Sequence, residues 1–533
     1  MTQDFLRKWM SGFWRLMTGM RRVLLLTFLV VGGGECFGKT AVEYVDSLLG
    51  TSSKGYTIGE HSGLMPFVGV PFGSVQWVPM TDPSEEGRVS FDSEKTTLLG
   101  YVGTRQMAIW MGEWGQFSFM PSTGEGVPPC DLRARGLPFD NKAEDVYTPY
   151  YSRTAAGGVV TECTALSHAA IYRITFPQGA VPRIVMDASR DYCPPKPWLK
   201  KIFGVNVAPG GVRLAQDRHW VSLWNRDIVD QFRSPRLPNF CARQVMEFSE
   251  PFVAQGTFVG GAEKDDEGYV KAVVSEGGET CEADRAGAYV LFAPRDDGPK
   301  TILVRLGVSL IGEAEARANL DGEISGWDFD AVKAAARTLW ERKLGVVSIK
   351  TMSEEIKTTF YTALYHAQLF PREITERGRY YSAFDDRVHA GVAYTGYSLW
   401  DTYRSEHALL TLVAPERVDG MVQSLVNAAR EGGALPKYPN PAYTGVMVGA
   451  PAEIVIAEAY AKGFRDFDLR QAYEAVRRNA TVPAPNDGTV RWSPGEWWTG
   501  HPESRGGLAS YQELGSVDGE RTDEFVQIGR AHV

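Results

Sequence analysis

The period of the apolar residues changes once along this chain, near Trp327, and that change constrains the fold more than any other feature. Up to about Gly326, short runs rich in β-branched and aromatic residues alternate with Gly, Pro, Asp and Ser. Val159-Val160-Thr161-Glu162-Cys163-Thr164-Ala165, Ile171-Tyr172-Arg173-Ile174-Thr175-Phe176, Tyr289-Val290-Leu291-Phe292 and Ile302-Leu303-Val304-Arg305-Leu306 are such runs. Residues two apart share one face of a strand, so this pattern predicts many short antiparallel strands packed as a sandwich. The Lys264-Asp265-Asp266-Glu267-Gly268 cluster reads as a hairpin tip. After Trp327 the spacing is helical: Phe329, Val332, Ala336 and Leu339 fall on one face, and Ile356, Phe360, Ala363 and Ala367 on another. Pro415-Glu416 opens a helix carrying Val418, Met421, Val422, Leu425 and Ala429, which stops at Gly432-Gly433. Further helices are expected over Glu453–Lys462 and Leu469–Arg478. The expected architecture is a β plus α multidomain chain, with a β-domain over 39–326 and an α-domain over 327–533.

At 533 residues the chain can bury more than one core. Its net charge of −9 argues against a phosphate-neutralising nucleic-acid surface. Fourteen Trp and 22 Tyr suit either large cores or sites that stack on sugar rings. At the N-terminus, Arg21-Arg22 precede the apolar run Val23 to Val31, then Gly32-Gly33-Gly34 and Glu35-Cys36-Phe37-Gly38. Basic, apolar and small residues in that order predict a signal peptide over 1–38, too short to span a bilayer comfortably. The expected destination is secreted or periplasmic. A lipoprotein anchor at Cys36 is the weaker option, because Glu35 suits a lipobox poorly. No later segment reads as transmembrane. Cys130, Cys163, Cys193, Cys241 and Cys281 form no CxxC pair, so a zinc ribbon is not expected, and disulfides and buried thiols stay equally open.

Motifs then narrow the reading. Tyr44-Val45-Asp46, Gly50-Thr51 and Val70-Pro71-Phe72-Gly73-Ser74-Val75-Gln76 are followed by Gly100-Tyr101, Thr104-Arg105-Gln106 and Ile109-Trp110-Met111-Gly112-Glu113-Trp114-Gly115. Phe360-Tyr361-Thr362-Ala363-Leu364-Tyr365-His366, Tyr397-Ser398-Leu399-Trp400-Asp401-Thr402-Tyr403-Arg404, Pro415-Glu416-Arg417, Leu435-Pro436-Lys437 and Met447-Val448-Gly449 continue the series. In this order, across nearly the whole chain, they resemble glycoside hydrolase family 92. The resemblance implies an N-terminal antiparallel β-sandwich on an (α/α)6 toroid, incomplete here, with the active site between them. It also implies Ca2+-dependent exo-hydrolysis of α-mannosides, such as α-1,2-mannosides of glycans, with inversion. Such chemistry uses two carboxyl groups roughly 6.5–9.5 Å apart, one protonating the leaving oxygen and one activating water. A hard cation suits the vicinal hydroxyls of mannose.

Trp400, Asp401 and Arg404 are the leading sugar-contact candidates: on a helix, Trp400 and Arg404 share a face. A buried Asp401–Arg404 ion pair beside a core Trp is the structural alternative. Trp110 with Glu113 offers an aromatic ring and a carboxylate in one Gly-punctuated loop, the usual means of stacking on a pyranose and binding its hydroxyls. Asp385 and Asp386 are weaker candidates, as adjacent acids are usually only solvated. Trp497 and Trp498 form an aromatic loop, and Lys437 belongs to the family-like motif. His61, His366 and His389 lack metal-ligand spacing and read as structural, so the metal ligands are left unassigned.

Two departures from the family pattern stand out. The resemblance implies a catalytic Glu directly before Thr-x-x-Met, where this chain has Tyr443 before Thr444-Gly445-Val446-Met447. A phenol titrating near about 10 is a poor proton donor at neutral pH. Glu431 and Glu453 are nearby acids, neither at the motif position. A phosphate leaving group needs little protonation, so a mannosyl phosphodiester is an alternative substrate, and a non-catalytic carbohydrate-binding protein is an alternative class. The second departure is the end of the chain. Segments that the resemblance expects to carry the water-activating Asp are absent, and Ile528-Gly529-Arg530-Ala531-His532-Val533 is what ATC GGA AGA GCA CAC GTC, a sequencing-adapter string, would encode. The expectation is a truncated, inactive fragment.

Overall fold

The computed structural model describes residues 39–54, 63–81, 90–107, 113–189, 205–206, 209–229, 237–264, 270–444, 447, 449–484 and 505–516. The expected signal peptide, His61, Trp110, Cys193, most of the hairpin tip after Lys264, Trp497, Trp498 and the last six residues lie outside them.

The alternating runs do form strands. Among the described residues, one antiparallel sheet runs Gln76–Met80, Gly100–Thr104, Ser118–Thr123, Pro182–Ser189, Ala286–Leu291, Ala254–Lys264 and Val270–Glu276. The other runs Thr280–Ala283, Gly210–Leu214, Trp220–Asn225, Ala242–Phe248, Lys300–Ser309, Ala169–Phe176, Val159–Ala165, Tyr151–Ala156 and Val146–Thr148. Strand Ala169–Phe176 shows how the layers meet. Ala170, Tyr172, Ile174 and Phe176 enter the core between the sheets, while Ala169 and Ile171 enter a second core shared with the helices. Successive side chains point to opposite faces, so a strand buried on both sides loses its polar alternation. Around the Tyr172 ring gather Phe119 at 4.8 Å, Tyr101 at 5.7 Å and Trp77 at 6.2 Å, all edge-on.

Helix Phe329–Leu344 lies across strands Val159–Ala165 and Ala169–Phe176. Its N-cap Asp328 accepts from Ala331 N at 3.0 Å, and it buries Phe329, Ala336, Trp340 and Leu344. Helix Glu354–His366 follows, and the two are tied to the first part of the chain by polar as well as apolar contacts. The Trp340 indole donates to Gly69 O at 2.8 Å, and the Tyr365 hydroxyl to Phe67 O at 3.1 Å. One apolar cluster therefore contains Val42, Phe67 and Ile171 together with Trp340, Tyr365, Leu425 and Ile456.

The helices start earlier than the sequence boundary at Trp327. Helix Glu313–Glu323 already packs on strand Lys300–Ser309 and buries only Ala316, Asn319 and Leu320, too short a stripe for periodicity to reveal. Gly307 makes the close approach possible, since a Cβ there would meet Ala316 O at 2.4 Å. Helix Pro415–Gly432 has Pro in its first turn and ends at Gly433 in the left-handed region, φ 93°. Helices Glu406–Val413, Pro451–Ala461 and Leu469–Thr481 pack against it and leave Leu409, Leu412, Tyr460 and Tyr473 exposed. Among the described residues no helix is long and apolar enough to cross a membrane. Cys163, Cys241 and Cys281 are thiols.

Candidate functional site

Most candidate residues sit along one seam, where the loop after strand Gly100–Thr104 meets the segment from Phe370 to Thr444. Glu113 organises the sandwich side. It is 3% exposed, and its carboxylate accepts from Thr104 Oγ1 at 2.5 Å, Arg105 N at 2.9 Å, Gln106 N at 3.2 Å and Trp114 N at 3.3 Å. Burial pushes its pKa up, and these donors with the Arg105 charge oppose that rise. A carboxylate this enclosed holds its own loop together. The loop so formed places Arg105 over the Trp114 ring at 5.0 Å. Burial lowers the Arg105 pKa to about 10, against the raising charges of Glu113 and Glu376.

The Trp114 indole crosses the seam and donates to Asn440 Oδ1 at 2.9 Å. Lys437, in the same segment as Asn440, is 1% exposed and so has its ammonium inside the protein. Tyr438 extends the link: its hydroxyl lies 2.9 Å from Ser398 Oγ, which donates to Asp401 Oδ2 at 2.5 Å. Asn440 thus meets the sandwich loop, and Tyr438, two residues away, meets the Trp400-Asp401 motif through Ser398; sequence reading did not single out these three. Hydroxyls and amides carry no strong motif signal when their partners lie dozens of residues away.

Trp400, Asp401 and Arg404 do come together, but without the Asp–Arg pair weighed above. Asp401 is held by Ser398, and it is exposed. The exposed Arg404 guanidinium lies 5.8 Å from the Trp400 ring and 4.9 Å from Tyr403. The Trp400 indole N–H is buried with no hydrogen-bond partner, an orphan donor of the kind a ligand oxygen satisfies. Glu406, at the start of helix Glu406–Val413, escaped the sequence reading. Burial, then the nearby Asp401 charge, raises its pKa to about 8, so it is a protonated carboxyl at neutral pH.

Tyr443 is tied to the backbone at a helix end. Its hydroxyl lies 2.5 Å from Ala434 O and 3.1 Å from Ala428 O, and it accepts from Ala434 N at 3.1 Å. Its ring packs edge-on against Phe384 at 4.8 Å. It plugs the C-terminal end of helix Pro415–Gly432, where helix carbonyls need donors. Glu453 is also structural, buried between Asn479 Nδ2 at 3.0 Å and the Arg505 guanidinium. His366 is depressed to about 4 by burial, in keeping with its structural reading.

Asp385 is not merely solvated. It contacts His389 Nε2 at 2.9 Å, and together with Glu431 the two residues bring metal-ligating atoms within 4.8 Å of one another. Two carboxylates and an imidazole do not fit the calcium that the resemblance implies, because Ca2+ takes about 6–8 oxygens. No other such group of His, Cys, Asp and Glu occurs among the described residues.

The fold is a sandwich backed by helices, and a hydrogen bond from Trp114 to Asn440 crosses between them. Comparison with family models gives the assignment: the glycosyl hydrolase family 92 N-terminal domain matches residues 44–309, and its catalytic domain residues 315–529. The chain belongs to glycosyl hydrolase family 92. An uncharacterized secreted glycosidase of Arthroderma benhamiae is 24% identical over 525 residues, which is 94% of this chain and 58% of that relative. The structure of an inverting mannosidase of the family from Bacteroides thetaiotaomicron superposes with a TM-score of 0.74 at 27% identity, over 90% of this chain and 59% of that one. An α-mannosidase of the same organism, solved with mannoimidazole, gives 0.71 at 19% identity over 93% of this chain and 62% of that one, a likeness of fold. This chain therefore spans under two thirds of the length of each of these relatives.

Proposed function

We propose that this chain belongs to an exported exo-α-mannosidase that acts with inversion, its helices contributing to an (α/α)6 toroid. The observation that carries the reading is the Trp400–Glu406 segment. It combines an aromatic face, an orphan indole donor, an exposed carboxylate and a carboxyl held protonated to about pH 8. Inverting hydrolysis needs one carboxyl that still carries its proton at the working pH, and burial is one way a protein raises a carboxyl's pKa for that role. Glu406 is the proton donor in this reading, Asp401 and Arg404 bind hydroxyls, and Trp400 stacks on the ring. Trp110, Lys437, Trp497 and Trp498 are further proposed sugar contacts. The likeness to the inverting mannosidase supports the substrate class, and the secreted relative supports export. Calcium dependence is proposed at the level of the family, with no ligand assigned here.

The test uses the expressed protein and an aryl α-mannoside, with and without a calcium chelator. Chelator-sensitive release of mannose is expected, and Glu406→Gln is expected to lower kcat by about 10²–10⁴-fold. Sugar binding without release, in a folded protein, would move the assignment to a carbohydrate-binding protein.

A second reading rests on Arg404. An exposed guanidinium beside aromatic rings, with no carboxylate partner among the described residues, suits a phosphate, which it can hold through two parallel hydrogen bonds. A mannosyl phosphodiester would then be the substrate. Comparable turnover of α-mannobiose and a mannose-1-phosphate diester rules that out.

A further inference from the structure

The hairpin Arg379–Ser382 / Arg387–Ala390 carries Asp385 in its turn and His389 on its second strand, opposite Tyr380. Asp386 holds the turn with a φ of 60° and is fixed by the Tyr381 hydroxyl at 2.6 Å and by Asn239 N at 3.0 Å. This leaves Asp385 to reach His389 Nε2, at 2.9 and 3.0 Å from its two oxygens. Glu431 comes from a different element, the last turn of helix Pro415–Gly432. Its side chain is only 3% exposed, and its Oε1 accepts from the Tyr380 hydroxyl at 2.6 Å and from Arg430 Nη2 at 2.7 Å. Its Oε2 is buried with no hydrogen-bond partner. Leaving a carboxylate oxygen in that state is costly. The position adds to the cost, because a helix C-terminus is the negative end of the dipole and favours cations. Two carboxylates and a helix end converge here, with Arg430 paired to Glu431.

We infer that Asp385, His389 and Glu431 form a site for a first-row divalent metal ion, zinc above all, that ties the hairpin to the end of helix Pro415–Gly432. Imidazole nitrogen with carboxylate oxygens is a zinc-type donor set, and a mixed set of three is too small and too rich in nitrogen for calcium. A tetrahedral zinc with bonds near 2.0–2.2 Å needs donors about 3.4 Å apart. The present donor atoms, all within 4.8 Å of one another, reach that with small side-chain movements. The ion would take the place of the His389–Asp385 proton contact and give Glu431 Oε2 its missing partner. His389 and Asp385 are 27% and 21% exposed, so an ion can enter from solvent. None of its three residues belongs to the Trp400–Glu406 segment, and the inference does not depend on the proposed activity.

The test is metal binding by the purified full chain, stripped with EDTA and titrated with Zn2+ against a chromogenic chelator. Co2+ substitution is read by visible absorption in parallel. One equivalent of Zn2+ is expected to bind and to raise the Tm, with Ca2+ at least 100-fold weaker. His389→Gln and Glu431→Gln are each expected to weaken Zn2+ at least tenfold. The Co2+ spectrum should carry an imidazole contribution that His389→Gln removes. Absence of stoichiometric Zn2+ binding by the folded wild-type chain overturns the inference, and so does binding that both variants leave unchanged. The wild-type titration decides even if a variant fails to fold. A higher stability of Glu431→Gln without any metal effect would mean that a water, not an ion, satisfies Glu431.

Discussion

The Tyr443 hydroxyl works for the backbone, contacting Ala428 O and Ala434 O and accepting from Ala434 N. Tyr443→Phe should therefore lower stability by about 1–2 kcal/mol in urea unfolding, the cost of orphaned backbone groups. The pH–rate profile on an aryl mannoside should keep its shape. A loss of activity of a hundredfold or more with stability intact would instead make Tyr443 the acid. At Glu406 the sign of the pH effect follows from the raised pKa. The folded protein holds a proton that the unfolded chain releases near about 4.5. The stability this contributes is complete below that value and is lost as pH rises toward 8. Every tenfold gain in proton affinity on folding is worth about 1.4 kcal/mol, before discounting for partial exposure. Denaturant midpoints should fall from pH 5 to pH 8.5 in the wild type, and Glu406→Gln should flatten that slope. An unchanged slope would remove Glu406 as the protonated carboxyl.

At the scale of elements, capping and glycine placement carry the local rules. Asp468 accepts from Gln471 N at 2.9 Å at the start of helix Leu469–Thr481, so Asp468→Ala should cost about 1 kcal/mol by chemical denaturation. Gly432 is a close-approach position. A Cβ there would lie 2.4 Å from the Tyr443 ring. Gly432→Ala should therefore destabilise, although alanine is the better helix former, because the plug must shift. A melting temperature at or above wild type would show that Tyr443 does not seal that helix end. The strands and the long helices were legible for the same reason: their apolar period survives in the sequence. Strand Val159–Ala165 matches the expected run, and helix Pro415–Gly432 its expected limits. Helix Glu313–Glu323 was not legible, since only three of its residues are buried.

For the whole molecule, the shared core decides behaviour. Trp340 is fully buried in the cluster that joins sandwich and helices, and its indole holds Gly69 O. Trp340→Ala should cost about 3–5 kcal/mol. It should destabilise sheet and helix signals together, as one cooperative transition followed by circular dichroism and Trp fluorescence. Two separated transitions in the wild type would show that the layers fold independently. The His168–Glu323 contact spans the same boundary at 3.0 Å, and Glu323 also accepts from His168 N and Ala169 N. Burial lowers the His168 pKa, but the Glu323 hydrogen bond and charge outweigh it, so the net change is upward.

The sequence by itself determined the β-then-α order, the main strands and helices, the family and the Trp400-Asp401 motif, because periodicity and contiguous motifs are local properties. Only the tertiary structure decided what the polar groups do. The hydrogen bonds that Glu113 makes to its own loop, and those that Tyr443 makes at a helix end, come from the fold and not from any local pattern. His389 had no ligand spacing within its own segment; it found Asp385 across a turn and Glu431 on a distant helix. Hydrogen-bond partnership and burial depend on distances between residues far apart in the chain, which no local pattern encodes.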